Sequence, residues 1–412
     1  MKIAFLTLGC KLNYAETSTY ERGFRAAGLE VVPARSQADL YLINTCSVTA
    51  TADSKSRNLI RKVRRLNPEA KVIVTGCSAE LRRSEIERIE GVWKVFGCKE
   101  KGSVVTDCLD ALGLGPAQPG KAVQEVFGAY STGERTRSFL KVQDGCDNLC
   151  NYCTVPYARG ASRNIPICEC VRMAGDIASQ GVKEIVLTGV NTGDFGKTTG
   201  ENFLDLLKAL DKVEGIERYR ISSIEPNLLT DDIIDWIASG TTKFQPHFHI
   251  PLQVGCDELL AAMGRRYTTE FFASKIDYIR AKMGDGVFFG IDVMVGLPGE
   301  TDELFSRTVA FLERIRPAFI HVFPYSRRPG TPAALFPGQV SEDEKKRRVA
   351  VLEELCSRLH DEFISSQKGT TVSVLFESKE KGGTMGGYSG NYIRVIRPYD
   401  PALSGKIVEV TL

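Results

Sequence analysis

Asp144-Gly145-Cys146-Asp147-Asn148-Leu149-Cys150-Asn151-Tyr152-Cys153 places three cysteines at a CxxxCxxC spacing, just after the strand candidate Phe139–Val142. Three thiolates this close in sequence can hold a cubane iron-sulfur cluster by three of its irons, leaving the fourth open to a substrate. A structural zinc site is normally closed by four protein ligands, and a ferredoxin supplies four cysteines per cluster. No nearby fourth ligand is apparent in this stretch, so an open iron is the reading that its chemistry favours.

Outward from the motif, strand candidates recur at Phe139–Val142, Glu184–Leu187, Arg220–Ile224, His247–Leu252, Phe288–Val295 and Phe319–Phe323, with helical patterns between them. Six βα units of this kind curl into a partial parallel barrel, a fold that carries its chemistry in the loops after the strands. The capping box Ser341-Glu342-Asp343-Glu344 precedes apolar positions Val349, Leu352, Leu355, Leu359 and Phe363, which predicts a long helix closing the region 138–366.

Upstream, residues 1–112 alternate strand candidates (Ile3–Leu8, Leu40–Asn44, Val72–Thr75, Val95–Phe96) with helical stretches such as Tyr14–Ala27 and Asp53–Leu66, the pattern of a doubly wound parallel sheet. Gly113–Gly120 breaks that periodicity and opens a linker over 113–137. Downstream, 367–412 reads as a small β-barrel unit: strands Thr371–Phe376, Tyr392–Ile396 and Lys406–Leu412, with turns at Lys381-Gly382-Gly383 and Gly386-Gly387. A unit so small is marginal alone and is expected to dock on the rest. The fold class is therefore α/β, in three parts.

The chain of 412 residues is 43% apolar and 25% charged with a net charge of +2, so any nucleic-acid surface must be local. Its first apolar run is too short for a signal peptide, and no run approaches the ~18 residues of a membrane span. A cytoplasmic location without membrane contact is expected. Twelve cysteines in a reducing compartment point to metal or cluster ligation for some of them. Cys98, Cys108, Cys168, Cys170, Cys256 and Cys356 are read as small buried apolar residues. Cys10, Cys46 and Cys77 each sit just past the carboxyl end of a predicted strand, where open α/β sheets bind ligands, and predict a second three-cysteine cluster. Cys98 follows a fourth strand candidate; a closed cluster that included it would serve electron transfer only.

The CxxxCxxC spacing with Tyr152 before its last cysteine resembles the radical S-adenosylmethionine superfamily. With the N-terminal cysteine trio and the β tail, the whole chain is similar to the methylthiotransferase family. That resemblance implies two 4Fe-4S clusters, an auxiliary one on Cys10, Cys46 and Cys77 and a radical one on Cys146, Cys150 and Cys153. It implies two S-adenosylmethionine molecules per turnover, an external electron donor and a sulfur donor, with a monomer expected. It also implies cofactor contacts at Tyr152, at Asn191 in Thr188-Gly-Val-Asn191, at Glu225, Gln253 and Arg265, and at Asp292 in Gly290–Gly296.

Thr7–Glu16, Val142–Asp147, Ser222–Asn227 and His247–Gln253 look most like the branch that acts on N6-threonylcarbamoyladenosine beside the anticodon, at tRNA position 37, inserting methylthio at C2. The rival branches act on isopentenyladenosine tRNA or on an aspartate of a ribosomal protein. Val254 and Cys256 depart from the family's usual serines, and Gly264 stands where a larger polar or basic residue is common. The tail resembles the family's tRNA-binding (TRAM) module, which would bring Lys379, Lys381, Arg394, Arg397, Tyr388 and Tyr392 to the anticodon stem-loop. No general base stands out among Glu16, Asp144 and Glu225. Two readings from other classes stay open: an RNA-binding protein with a structural metal, and a radical enzyme whose second cluster only passes electrons.

Overall fold

The computed structural model describes residues 1–115, 126–133 and 136–412; residues 116–125 and 134–135 of the expected linker lie outside the described residues. The N-terminal part contains β1 (Lys2–Thr7), α1 (Lys11–Ala26), β2 (Glu30–Val31), β3 (Leu40–Thr45), α2 (Ala50–Leu66), β4 (Lys71–Gly76), α3 (Cys77–Leu81), α4 (Arg83–Glu87), β5 (Val92–Phe96) and α5 (Val104–Ala111). Its strands form one parallel sheet in the order β2-β1-β3-β4-β5. The central strand β3 is buried along its whole length because helices cover both faces. Leu40 and Leu42 pack with Tyr20 and Phe24 of α1, while Tyr41 and Ile43 pack with Ile60 and Val63 of α2.

The central part runs through β6 (Arg137–Lys141), β7 (Gln143–Asp144), α6 (Val155–Arg159), β8 (Arg163–Asn164), α7 (Ile167–Ala178), β9 (Glu184–Thr188), α8 (Phe203–Asp211), β10 (Arg218–Ile221), α9 (Asp231–Ala238), β11 (His247–Gln253), α10 (Asp257–Ala262), α11 (Thr269–Met283), β12 (Phe288–Val295), α12 (Asp302–Ile315), β13 (Phe319–Pro324) and α13 (Glu342–Ser366). The long strands make two parallel sheets, β10-β9-β6 and β11-β12-β13. They meet where Ile224 N–H donates to the His249 carbonyl at 3.1 Å and Tyr219 bridges to Phe244. One continuous apolar core serves both sheets and their helices. Ser341 caps α13 by accepting from Glu344 N–H, and Leu352, Leu355 and Leu359 are its buried face.

The tail is an antiparallel sheet of β14 (Thr371–Lys381), β15 (Thr384–Ser389), β16 (Arg394–Pro398) and β17 (Ile407–Thr411) in the order β16-β15-β14-β17. Gly386-Gly387, expected as a turn, lies inside β15. The glycine there answers to packing: a Cβ on Gly387 would stand 2.6 Å from Val374 Cγ1 and 2.8 Å from the Leu375 carbonyl. Arg218 donates to the Ser373 carbonyl at 2.6 Å, and Arg220 to the carbonyls of Ser389 and Gly390 at 2.7 Å each. Both guanidiniums lie against the buried carboxylate of Glu184, which offsets part of their charge at this docking seam. Of the cysteines read as core, Cys98, Cys108, Cys170, Cys256 and Cys356 are buried, whereas Cys168 in the first turn of α7 is exposed. Among the described residues no helix is long and apolar enough to cross a membrane.

Candidate active site

Gly9-Cys10, just past β1, and Gly76-Cys77, at the end of β4, lead from the two strands that flank β3 into helices, with both glycines near φ +100°. Only glycine suits these turns. A Cβ on Gly9 would lie 2.8 Å from Cys46 Cβ, and one on Gly76 would lie 2.4 Å from the Thr45 carbonyl. The close approach gathers Cys10, Cys46 and Cys77 at the carboxyl ends of β1, β3 and β4, tied by Asn13, whose side-chain amide donates to the carbonyls of Leu8 and Thr45. Burial, with the Cys77 and Cys10 thiols nearby, pushes Cys46 up to about 11. Cys77 is pulled below the ordinary thiol value, first by the neighbouring Cys98 thiol and then by the charges of Arg159 and Lys101. Arg159 Nε donates to Cys77 Sγ at 3.3 Å. Three sulfurs brought together beside the buried Arg159 cation are a donor set that fits a metal cluster.

The second trio follows β7. The loop is clamped by Asn151, whose N–H donates to the Met263 carbonyl at 3.0 Å and whose side-chain amide donates to the Ala262 carbonyl at 2.7 Å. Burial pushes Cys146 up to about 11 and Cys153 up to about 12, with the Cys150 thiol adding to both. Arg265 pairs with Glu225 and donates to Cys150 Sγ at 3.5 Å, while Tyr152 and Tyr267 neighbour its guanidinium. Thr188 Oγ1 at the end of β9, Asn191 Oδ1 and Ser222 Oγ just past β9 and β10, and Arg265 Nε after α10 are buried without a partner among the described residues. Buried polar atoms are rarely left so, and these four fit a polar ligand such as S-adenosylmethionine. Gln253 ends β11 at φ +73°, a conformation non-glycine residues adopt at functional sites.

A fully buried charge network lies between the trios. Glu16 of α1 meets Lys101 at 2.6 Å and Lys141 at 2.8 Å; Asp144 meets Lys141 at 2.7 Å and Arg159 at 2.8 Å. These cations hold both carboxyls below the usual carboxylate range in spite of burial. Neither is available as a general base, and Glu225 is engaged by Arg265.

One cavity of about 740 Å³ starts at Cys10 and Lys11, runs along the inner faces of β6 and β9 to β13, and reaches Tyr388, Tyr392 and Arg394 of the tail. Four of its lining residues carry basic side chains (Lys11, Arg137, Arg220, Arg394) and none is a carboxylate. Asp292, two residues on from the lining Gly290 in β12, is held by His249 Nε2 at 2.7 Å. Burial and the Arg220 charge keep the lining residue His247 neutral by lowering it well below its ordinary value.

The Uncharacterized protein family UPF0004 model matches residues 2–97, and the Radical SAM superfamily model matches residues 140–312. The threonylcarbamoyladenosine tRNA methylthiotransferase MtaB of Bacillus subtilis is 38% identical over 100% of this chain and 93% of its own length. The chain belongs to the radical S-adenosylmethionine methylthiotransferase family. The protein of that MtaB name from Aquifex aeolicus is 37% identical over 91% of this chain and 92% of its own length. The tRNA-2-methylthio-N(6)-dimethylallyladenosine synthase of Pelotomaculum thermopropionicum is 32% identical over 100% and 95%. In fold, the chain is similar to the radical S-adenosylmethionine methyltransferase TsrM of Kitasatospora setae, with a TM-score of 0.58 at 16% identity over 81% of this chain and 77% of that one.

In this methylthiotransferase the structure brings Tyr152, Glu225 and Arg265 together around Cys150, with Asn191 and Gln253 at neighbouring strand ends. Asp292 faces His249 instead, inside β12 and away from the strand end. Tyr388 and Tyr392, expected on an exposed RNA face, stack on each other at 4.8 Å and against Arg137 and His247 at the docking seam. Gly264 has φ +78° and faces the cluster loop, where a Cβ would lie 3.8 Å from the Leu149 carbonyl. Val254 and Cys256 are fully buried. Sequence reading missed Asn13, Lys101, Lys141 and Arg159, whose partners lie far away in the chain, as well as Lys11. The Cys10-Lys11 dipeptide was the one signal for the last.

Proposed function

We propose that this methylthiotransferase converts N6-threonylcarbamoyladenosine at tRNA position 37 to its 2-methylthio derivative. The observation that carries the reading is the cavity, which joins Cys10, the inner faces of the central strands and the tail, and presents four basic side chains and no carboxylate. A threonylcarbamoyl group brings a carboxylate that such a lining favours; a dimethylallyl group brings only apolar surface. Residues 1–112 carry the auxiliary site, 138–366 the radical core as a six-stranded partial barrel, and 367–412 a TRAM-like RNA-binding unit.

Cys146, Cys150 and Cys153 hold one four-iron cluster and Cys10, Cys46 and Cys77 the other; with S-adenosylmethionine they supply, when bound, the radical and the methylthio sulfur. Arg265, Glu225, Asn191 and Gln253 orient the cofactor beside Cys150. Arg159 donates to the Cys77 sulfur and reaches Asp144 next to the other trio, so it fixes how the two sites face each other. Tyr388, Tyr392 and Arg137 form the aromatic and cationic wall of the cavity at its tail end. Arg394, exposed at its mouth, meets the phosphate backbone of the anticodon loop. Cys98 lies within hydrogen-bonding reach of Cys77 and serves as a donor to a ligand sulfur.

The test is anaerobic reconstitution followed by incubation with S-adenosylmethionine, a reductant, a sulfur source and tRNA carrying the modified base, with digested nucleosides read by mass spectrometry. A methylthio mass gain that disappears in Cys10→Ala and in Cys150→Ala supports the assignment. Cleavage of S-adenosylmethionine with the nucleoside untouched would refute the substrate. Cys98→Ser should keep about eight irons, four per cluster; loss of half of them would make Cys98 a ligand.

A further inference from the structure

Of the cations that line the cavity, Lys11 differs from its neighbours. Arg220 is held by Glu184 and two tail carbonyls, and Arg137 by Tyr392 and Glu377. Asp292, an acidic neighbour of Lys11, is held by His249. Lys11 itself faces the cavity next to Arg137 and Arg220 and makes neither a hydrogen bond nor an ion pair among the described residues. An ammonium placed among other cations, whose one acidic neighbour is already engaged by a histidine, is short of counter-charge. The His249, Asp292 and His321 side chains gather ligand-type atoms within 4.8 Å of one another, but the surrounding cations disfavour a metal dication there and favour an anion.

Lys11 directly follows Cys10 and is the first residue of α1. In adenine, C2 and N6 flank N1 on one edge of the base. A group that grips the N6 substituent beside Cys10 therefore also turns the C2 edge toward that cysteine.

We propose that Lys11 is the substrate anchor of this cavity: its ammonium pairs with the threonyl carboxylate of the modified base and holds C2 toward Cys10. The proposal rests on the threonylcarbamoyladenosine reading and adds the residue that makes the choice.

The test compares two anticodon stem-loops, one with threonylcarbamoyladenosine and one with its carboxylate converted to the primary amide, on the reconstituted full-length enzyme. Binding is read by fluorescence anisotropy and single-turnover methylthiolation by mass spectrometry. Wild type should prefer the carboxylate about ten- to a hundredfold, as expected for a charge-assisted pair. Lys11→Met should bring that ratio to within about threefold, and Lys11→Arg should restore most of it. The ratio is unaffected by a general loss of folding or of cluster, because both stem-loops meet the same protein. If wild type acts on the carboxylate substrate and Lys11→Met keeps the full preference, the anchor is overturned while the substrate reading stands. If wild type ignores threonylcarbamoyladenosine altogether, the substrate reading falls, and the anchor with it.

Discussion

Glu16 shows what single residues contribute here. It is fully buried, yet Lys101, Lys141 and Arg159 meet it at 2.6, 2.8 and 3.3 Å, two of them from beyond the linker. Its carboxyl is held below the usual carboxylate range in the folded protein, so its stabilising effect is present above about pH 4.3, the unfolded value, and fades as pH falls below it. Thermal unfolding of the apoprotein followed from pH 7 to pH 3 should show this as a falling midpoint. Glu16→Gln should flatten that fall. At pH 7 it should cost about 3–5 kcal/mol, because three buried cations lose a counter-charge. An unchanged pH profile in the variant would show that the network does not couple the parts.

At the scale of elements, the turn from β4 into α3 decides whether the N-terminal trio can assemble. Gly76 stands at φ +101°, and an added Cβ would meet the Thr45 carbonyl at 2.4 Å. Gly76→Ala should push β4 away from β3 and separate Cys77 from Cys46. The expected outcome is a reconstituted protein with about four irons instead of about eight, which still cleaves S-adenosylmethionine but forms no methylthio product. Retention of both clusters would mean that the turn tolerates the side chain. Elements were also where sequence reading worked best. The CxxxCxxC loop, β11, β12 and the capped helix α13 were all legible, because spacing and periodicity are local. Gly386-Gly387 was misread as a turn, since a glycine required by a neighbouring strand looks no different in sequence from one required by a bend.

At the scale of the whole molecule, the tail completes the cavity. Arg220 links the central strand β10 to the carbonyls of Ser389 and Gly390 while resting on Glu184. Arg220→Met leaves Glu184 with less counter-charge and frees those carbonyls. We expect faster proteolysis between α13 and β14 and at least tenfold weaker binding of the anticodon stem-loop, a loss smaller than the roughly 3–5 kcal/mol that breaking a buried pair can cost. Cleavage and binding equal to wild type would show that the tail holds on without this seam.

The sequence alone determined the βα series, the α/β class and the CxxxCxxC spacing, because strand alternation, helix capping and short cysteine spacings are written within a few residues of one another. Only the tertiary structure decided how these parts face each other. The network from Glu16 to Arg159 joins residues 143 positions apart. Tyr392 stacks on His247 from another part of the chain, and Lys11 meets Arg137 and Arg220 across the cavity. A charged residue reads in sequence as a solvated surface group, and whether it is buried and paired depends on which distant elements pack against it.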